Sequence, residues 1–289
     1  MVIKHDLTGQ FQVRQMKINE LDFTKSQEKL SSGLRINRAG DDPSGLAVSE
    51  HMRAQIFGLN RANLNAQDGI SFIETTDGYL SNITSILQRI RELAVQSANG
   101  IYDNNDRTLI QVEVSALIDE VDRIASHAQF NGLNMLTGKF SASIEGEQLF
   151  GSMWFHLGAN MNQKERVFIG TITSQSLGLR NRTGNTMLSL STPDKSNSAL
   201  GTLDKALTRV NSERASLGAY YNRLFYTSKG LMLSSENTQH SESVIRDADM
   251  ALEMIRFVKS KILIQNISQL INRNRIVKND AMLFLLFRS

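Results

Sequence analysis

ISFIETTDGYLSNITSILQRIRELAVQSANG, residues 70–100, places Ile73, Thr76, Leu80, Ile83, Leu87, Ile90 and Ala94 at spacings that alternate between three and four. That alternation puts all seven side chains on one stripe of an α-helix and marks a coiled-coil seam. No proline lies between Pro43 and Pro193, so residues 59–99 can form one helix about 60 Å long. ANGIYDNND, residues 98–106, supplies a loop. Ile110, Val114, Leu117, Val121, Ile124 and Ala128 then repeat the alternation, which predicts two antiparallel rods.

Working outward, FNGLNMLTGKF (130–140) ends the helical signal with Gly132 and Gly138. SMWFHLGANMNQKERVFIGTIT (152–173) mixes β-branched and aromatic residues with glycine and reads as short strands or hairpins. A third rod begins at STPDKSN (191–197), where Ser191, Thr192 and Asp194 surround Pro193 as candidate caps. Its seam is Leu203, Leu207, Val210, Leu217, Tyr221, Leu224 and Leu231, and the pattern runs on weakly past Ala248 and Leu252. Towards the N-terminus, residues 7–34 read as a helix with Leu7, Phe11, Ile18 and Leu21 on one heptad stripe that Arg14 and Lys25 interrupt. LSSGLRINRAGDDPSGLAVSE (30–50) breaks it, and helical patterning restarts over residues 45–60. Gly40, Asp41, Asp42 and Pro43 combine turn chemistry with a fixed φ, and Ser44 opens the next helix. Neither terminal seam is complete alone, so each end needs a partner, and the other end is the nearest.

Composition points the same way. Of 289 residues, 40% are hydrophobic and only 7% aromatic, with a single Trp, which suits helix-on-helix packing better than a sandwich or a doubly wound sheet. The net charge of +3 comes from the tail, where Arg256, Lys259, Lys261, Arg273, Arg275, Lys278 and Arg288 are set against Asp280. This is read as a solvated basic helix face rather than a nucleic-acid surface. The start, MVIKHDLTGQFQ, lacks the apolar stretch of about 7–15 residues of a secretory signal, so export without a cleaved signal peptide is expected. AMLFLLF, residues 281–287, is too short to span a bilayer, and no membrane insertion is expected.

Reactive chemistry is not expected either. The absence of Cys excludes a disulfide framework and a thiolate nucleophile. His5, His51, His127, His156 and His240 have no metal-ligand spacing. GLNMLTGK misses the phosphate-loop spacing by one residue, and Phe140 stands where a hydroxyl belongs. Asp119, Glu120 and Asp122 read as solvated rod surface rather than an acid–base pair. No cofactor or catalytic residue is assigned, and the chain is not expected to be an enzyme.

LSSGLRINRAGDDPSGLAVSE, QRIRELAVQSANG, VDRIASHAQFNGLNMLTG, LGAYYNRL and SVIRDADMALEM together resemble bacterial flagellin, the filament subunit of the flagellum. The short insert around SMWFHLGANMNQ further resembles the core flagellins of spirochaete periplasmic flagella. The resemblance implies a mainly α fold, an elongated antiparallel coiled-coil bundle with a small β-hairpin insert at about 139–192 and paired terminal helices. It implies an inner coiled-coil tube from residues 1–42 and 250–289, and an outer rod from residues 43–249. The implied function is a structural subunit that polymerises into the filament; the alternative is a hook–filament junction protein. Implied partners are further copies of itself, other flagellins, a flagellar export chaperone, and hook-associated and cap proteins.

By the same resemblance, Arg35, Asn37, Gly40, Asp41, Asp42, Pro43 and Gly45 form a spoke that contacts neighbouring subunits. Arg89, Leu93 and Glu113 correspond to a patch read by an innate immune receptor in some hosts. The implied location is the flagellar filament, periplasmic if the spirochaete likeness holds and extracellular otherwise. The tail departs from the family. NISQLINRNRIVKND puts Ile267, Leu270 and Arg273 where flagellins usually carry small residues, so poor self-polymerisation is expected of it.

Overall fold

A computed structural model describes residues 7–141, 151–181 and 188–286. Among these described residues there are five helices, α1 (Leu7–Ser32), α2 (Pro43–Ala98), α3 (Asn104–His127), α4 (Pro193–Arg246) and α5 (Met250–Leu286). Four short strands among the described residues, β1 (Gln129–Phe130), β2 (Leu133–Asn134), β3 (Met153–His156) and β4 (Lys164–Val167), lie between α3 and α4. They pair as two antiparallel hairpins, β1 with β2 and β3 with β4. Two compact units result, residues 56–235 and residues 1–55 with 236–289.

The larger unit is built on the seam of α2. Ile73, Leu80, Ile83, Leu87, Ile90 and Ala94 are all buried, and Thr76 is buried with them, its hydroxyl donating to the Phe72 carbonyl. Contacts between Arg107 and the Ser97 carbonyl and between Arg89 and Glu113 run α3 back along α2 in the opposite direction. Those from Arg91 to Asp204 and from Arg214 to Asp77 do the same for α4. Burying one helix against two others plus an insert needs a stripe wider than a two-stranded seam. Ile118 and Ala125 are therefore fully buried, while Ile110, Leu117 and Ile124, three of the six positions expected on the α3 seam, are only half-buried at its edge. Met135, Leu136, Ile169, Ile172, Leu179 and Leu190 close the core from the insert side.

The first hairpin turns on Asn131 and Gly132, both at positive φ (48° and 75°), as a two-residue primed turn requires. The second carries Phe155 into contact with Phe72 on α2, and Glu165 pairs with Arg223 on α4 at 2.6 Å.

The smaller unit holds α1, α5, the first turns of α2 and the end of α4. α4 stops at Arg246, and Asp247 forms an isolated antiparallel bridge with Leu34 before α5 starts. The helical pattern expected to continue past Ala248 is interrupted there, because those backbone groups are taken by the strand-like pairing.

Candidate functional site

The stretch between α1 and α2 is tied down bond by bond. Gly33, at φ +73°, closes α1 by donating to the Lys29 carbonyl at 2.8 Å, a left-handed cap that suits glycine. Arg35 donates its backbone N–H to the Arg246 carbonyl at 2.7 Å, and Ala248 donates to the Gly33 carbonyl at 2.9 Å. The Arg35 guanidinium also donates to the Ile245 carbonyl, from Nη2 at 2.6 Å and Nε at 3.2 Å, capping the end of α4. Asp41 Oδ2 accepts from the N–H groups of Arg38 and Asn37 at 3.1 and 3.2 Å. Asp42 Oδ1 accepts from the Gly45 N–H at 2.9 Å, with Pro43 at the first helical position. A Cβ on residue 45 would meet Asp42 Oδ2 at 2.5 Å and Ile36 Cδ1 at 2.7 Å, so any larger residue would have to push the Asp42 carboxylate and the tip of Ile36 aside. Gly40 faces open space.

Electrostatics favour the ionised carboxylates here. The Arg38 N–H, then that of Asn37, holds Asp41 below the usual carboxylate range, as the Gly45 N–H and the Ser44 hydroxyl do for Asp42. Glu50 is lowered chiefly by its hydrogen bond from Arg246 Nη1, 2.5 Å away.

Beyond this junction, α1 and α5 pair antiparallel, with Phe23 stacked on Phe257 (4.7 Å between ring centroids) and Asn274 donating to Gln12 at 2.8 Å. The contact face of α1 is Gln12, Met16, Asn19, Phe23, Ser26 and Leu30; that of α5 is Glu253, Phe257, Ser260, Ile264, Ile267, Ile271 and Asn274. Both sets alternate spacings of three and four, so both are heptad seams, yet their best-buried members are Asn19, Ser26, Glu253 and Ser260. These four border one cleft of about 390 Å³.

The apolar heptad expected to face the partner helix points the other way. Leu7, Phe11, Ile18 and Leu21 are 77%, 55%, 45% and 57% exposed. On α5, Leu252, Ile255, Val258, Ile262, Leu270 and Ile276 are exposed as well. The physical reason is the two-residue offset between the frames, which turns one stripe about 200° from the other. The contact face is thus mixed, with Met16, Phe23, Leu30, Phe257, Ile264, Ile267 and Ile271 half-buried beside the four polar residues, and a second apolar stripe on each helix stays exposed.

Other sequence candidates fall elsewhere. Arg89 pairs with Glu113 at 2.9 Å on the surface, its guanidinium held further in the charged form by that carboxylate, whereas Leu93 is a core residue at 3% exposure. Asp122 is not solvated rod surface. It accepts from the Ser174 N–H (2.9 Å), the Ser174 hydroxyl (2.6 Å) and Arg180 (3.1 Å), while Arg180 also pairs with Asp119, so these carboxylates fasten the insert to α3. Arg256 faces a nearby carboxylate after all, that of Glu253 at 2.8 Å. Arg107, which periodicity could not single out, is buried and donates to the Ser97 and Asn99 carbonyls at the α2–α3 turn. Among the described residues, no helix is long and apolar enough to cross a membrane.

A closed core in one unit and, in the other, a helix pair that leaves apolar stripes exposed define a building block, a protein whose work is done by its surfaces. Comparison with known proteins gives that block a family. Residues 5–141 match the bacterial flagellin N-terminal helical region, and residues 200–279 match the bacterial flagellin C-terminal helical region. The chain is 56% identical over 265 residues to a flagellar filament 31.3 kDa core protein of Treponema maltophilum, covering 92% of this chain and 93% of that one. It is 57% identical over 275 residues to the flagellar filament core protein flaB2 of Brachyspira hyodysenteriae, covering 95% and 96%. A solved flagellar hook-associated protein from Vibrio parahaemolyticus superposes with a TM-score of 0.57 at 13% identity, over 71% of this chain and 99% of that one, a likeness of fold alone. The chain belongs to the bacterial flagellin family. It is a structural subunit of the flagellar filament and not an enzyme, and nothing in these likenesses favours the hook–filament junction reading.

Proposed function

We propose that residues 1–42 and 250–289 line the inner tube of the filament and residues 43–249 form the layer around it. The observation that carries this reading is the apolar stripe that each helix of the α1–α5 pair leaves exposed. A soluble two-helix unit would bury Phe11, Ile18, Ile255 and Ile262, and here they are exposed. Covering such faces with equivalent pairs from further copies removes them from water at about 25 cal/mol per Å². The strap from Arg35 to Gly45 then meets neighbouring subunits through the parts its internal bonds leave open, Gly40 first among them. The likeness to spirochaete core proteins motivates a periplasmic filament shared with other flagellins, and an export chaperone and hook-associated and cap proteins are proposed as its further partners.

Electron microscopy of purified protein under polymerising conditions tests the reading. The unaltered chain should give filaments, in the low yield its divergent tail implies, and a Phe11→Ser/Ile18→Ser/Leu21→Ser variant should give none while keeping the helical signal of the free chain. Filaments from that variant at the yield and length of the unaltered chain would overturn the assignment of this face.

A further inference from the structure

We propose that the outward face of the β3–β4 hairpin is a binding site for an anionic saccharide chain, one whose sugar rings carry carboxylates. The site lies in the insert of the larger unit and does not depend on the filament reading.

Strand alternation sorts this hairpin into two faces of opposite character. Phe155, Glu165 and Val167 are turned inward, and the Glu165 carboxylate is taken up by Arg223 at 2.6 Å. Trp154, His156, Lys164 and Arg166 are turned outward, paired across the strands as Trp154 with Arg166 and His156 with Lys164. Lys164 Nζ lies 4.2 Å and Arg166 Cζ 3.9 Å from the Trp154 ring centroid, so one indole holds two cations in place. Glu165 is the only carboxylate on these two strands, and it points away. The outward charge is therefore uncompensated within the hairpin.

The face is firmly mounted. Phe155 packs on Phe72 with ring centroids 6.0 Å apart, and Asn65 Nδ2 donates to the His156 carbonyl at 3.0 Å. The connecting loop comes so close to α2 that a Cβ on Gly58 would lie 2.7 Å from Ala159 Cβ. A surface fixed in this way has little freedom left to lose on binding.

Size and chemistry select the partner. Strands of this length, at about 3.4 Å per residue and about 4.8 Å apart, give a face of roughly 10 by 5 Å. That is far below the ~800 Å² per side of a stable protein interface, and a single polymer strand fits it. Trp154 stays 40% exposed beside the two cations. An indole flanked by charge matches a sugar ring, which offers apolar C–H groups on its face and a carboxylate at its rim.

Trp154 is the single Trp of the chain, so its fluorescence reports this site and not the basic tail. The full-length free chain would be titrated at low salt with polygalacturonate, with dextran as the uncharged saccharide and poly-L-glutamate as the acidic polypeptide. Polygalacturonate should change the Trp154 emission saturably, dextran should leave it unchanged, and poly-L-glutamate should bind more weakly than polygalacturonate. Lys164→Gln/Arg166→Gln should weaken polygalacturonate binding by about fivefold or more, and Lys164→Arg/Arg166→Lys should recover most of it. Both variants keep the inward anchors, so the thermal transition should stay in place. Lys205→Gln, which removes an exposed charge on α4, should change nothing. A silent Trp154 would overturn the site, including one that stays silent while the polymer sediments with the chain. So would an equal response to dextran, or a Gln variant that binds as well as the unaltered chain. Poly-L-glutamate binding as tightly as polygalacturonate would overturn the saccharide as partner in favour of an acidic polypeptide.

Discussion

The same three-four alternation has opposite outcomes in the two units. On α2 the apolar stripe of Ile73, Leu80, Leu87 and Ile90 faces inward and is sealed by α3, α4 and the insert. On α1 the apolar stripe of Leu7, Phe11, Ile18 and Leu21 is exposed, and a second stripe centred on Asn19 and Ser26 meets α5. A heptad of apolar residues thus identifies a surface that must be covered without saying what covers it. In the larger unit the chain covers it, and in the smaller one it is left exposed.

The comparison breaks if charge is equally harmful on both stripes. Leu87→Asp or Ile90→Asp leaves an unpaired carboxylate in a closed core and should cost about 3–5 kcal/mol, seen as a large drop in the thermal transition of the free chain. Ile18→Asp or Leu21→Asp should shift that transition by no more than about 0.5 kcal/mol in stability. Equal destabilisation at all four positions would show that α1 buries its apolar stripe within the monomer.

A smaller effect sharpens the view of the larger unit as self-sealing. Asp122→Ala strands the Ser174 N–H and leaves Arg180 with Asp119 alone, which should cost about 1–3 kcal/mol. Hydrogen exchange should quicken across residues 172–180 and stay unchanged in residues 80–94. No change at residues 172–180 would mean that Met135, Leu136 and Ile169 hold the insert without the ionic tie.

Acid should also act on the strap of the other unit. The carboxyl groups of Asp41, Asp42 and Glu50 are held below their unfolded values. The stability they contribute is therefore complete above the unfolded carboxylate value of about pH 4 and is lost as pH falls through their lower folded values. Amide resonances of Asn37, Arg38 and Gly45 should titrate below about pH 4, in a range where those of Leu80 and Leu87 hold still. Movement of both sets together would mean that the units do not differ in this respect.

What could be read from the sequence was periodicity. The seams of α2 and α4 were legible because apolar side chains at one spacing and a buried face coincide there. Ile118 and Ala125 were missed because a two-stranded template allows a narrower stripe than a three-helix core with an insert requires. The α1–α5 contact face was missed for a stronger reason, since Gln12, Asn19, Ser26 and Glu253 carry no hydrophobic signal and are buried only because a partner helix lies on them. The strap around Pro43 was visible through Gly40, Asp41, Asp42 and Gly45, whereas its counterpart at Asp247, Ala248 and Asp249 has neither Gly nor Pro. That second break exists because Leu34 and Arg35 pair with it from more than two hundred residues away. Asp122 and Arg180 escaped notice likewise, for ionic ties across 58 residues leave no local pattern. One local signal was there to be used, the Asn131-Gly132 turn of the first hairpin.

Because the chain contains no Cys, a single introduced thiol reports its own surroundings, and the central claim can be put to adjacent positions. Ile18→Cys and Asn19→Cys would each be treated with a maleimide in the free chain and again after polymerisation. The account predicts that the thiol at position 18 reacts readily in the free chain and becomes protected by about tenfold or more in filaments, whereas the thiol at position 19, facing α5, reacts more slowly than that at 18 from the start. A thiol at position 18 that stays equally reactive in well-formed filaments would contradict it, because the apolar face of α1 would then not be what assembly covers.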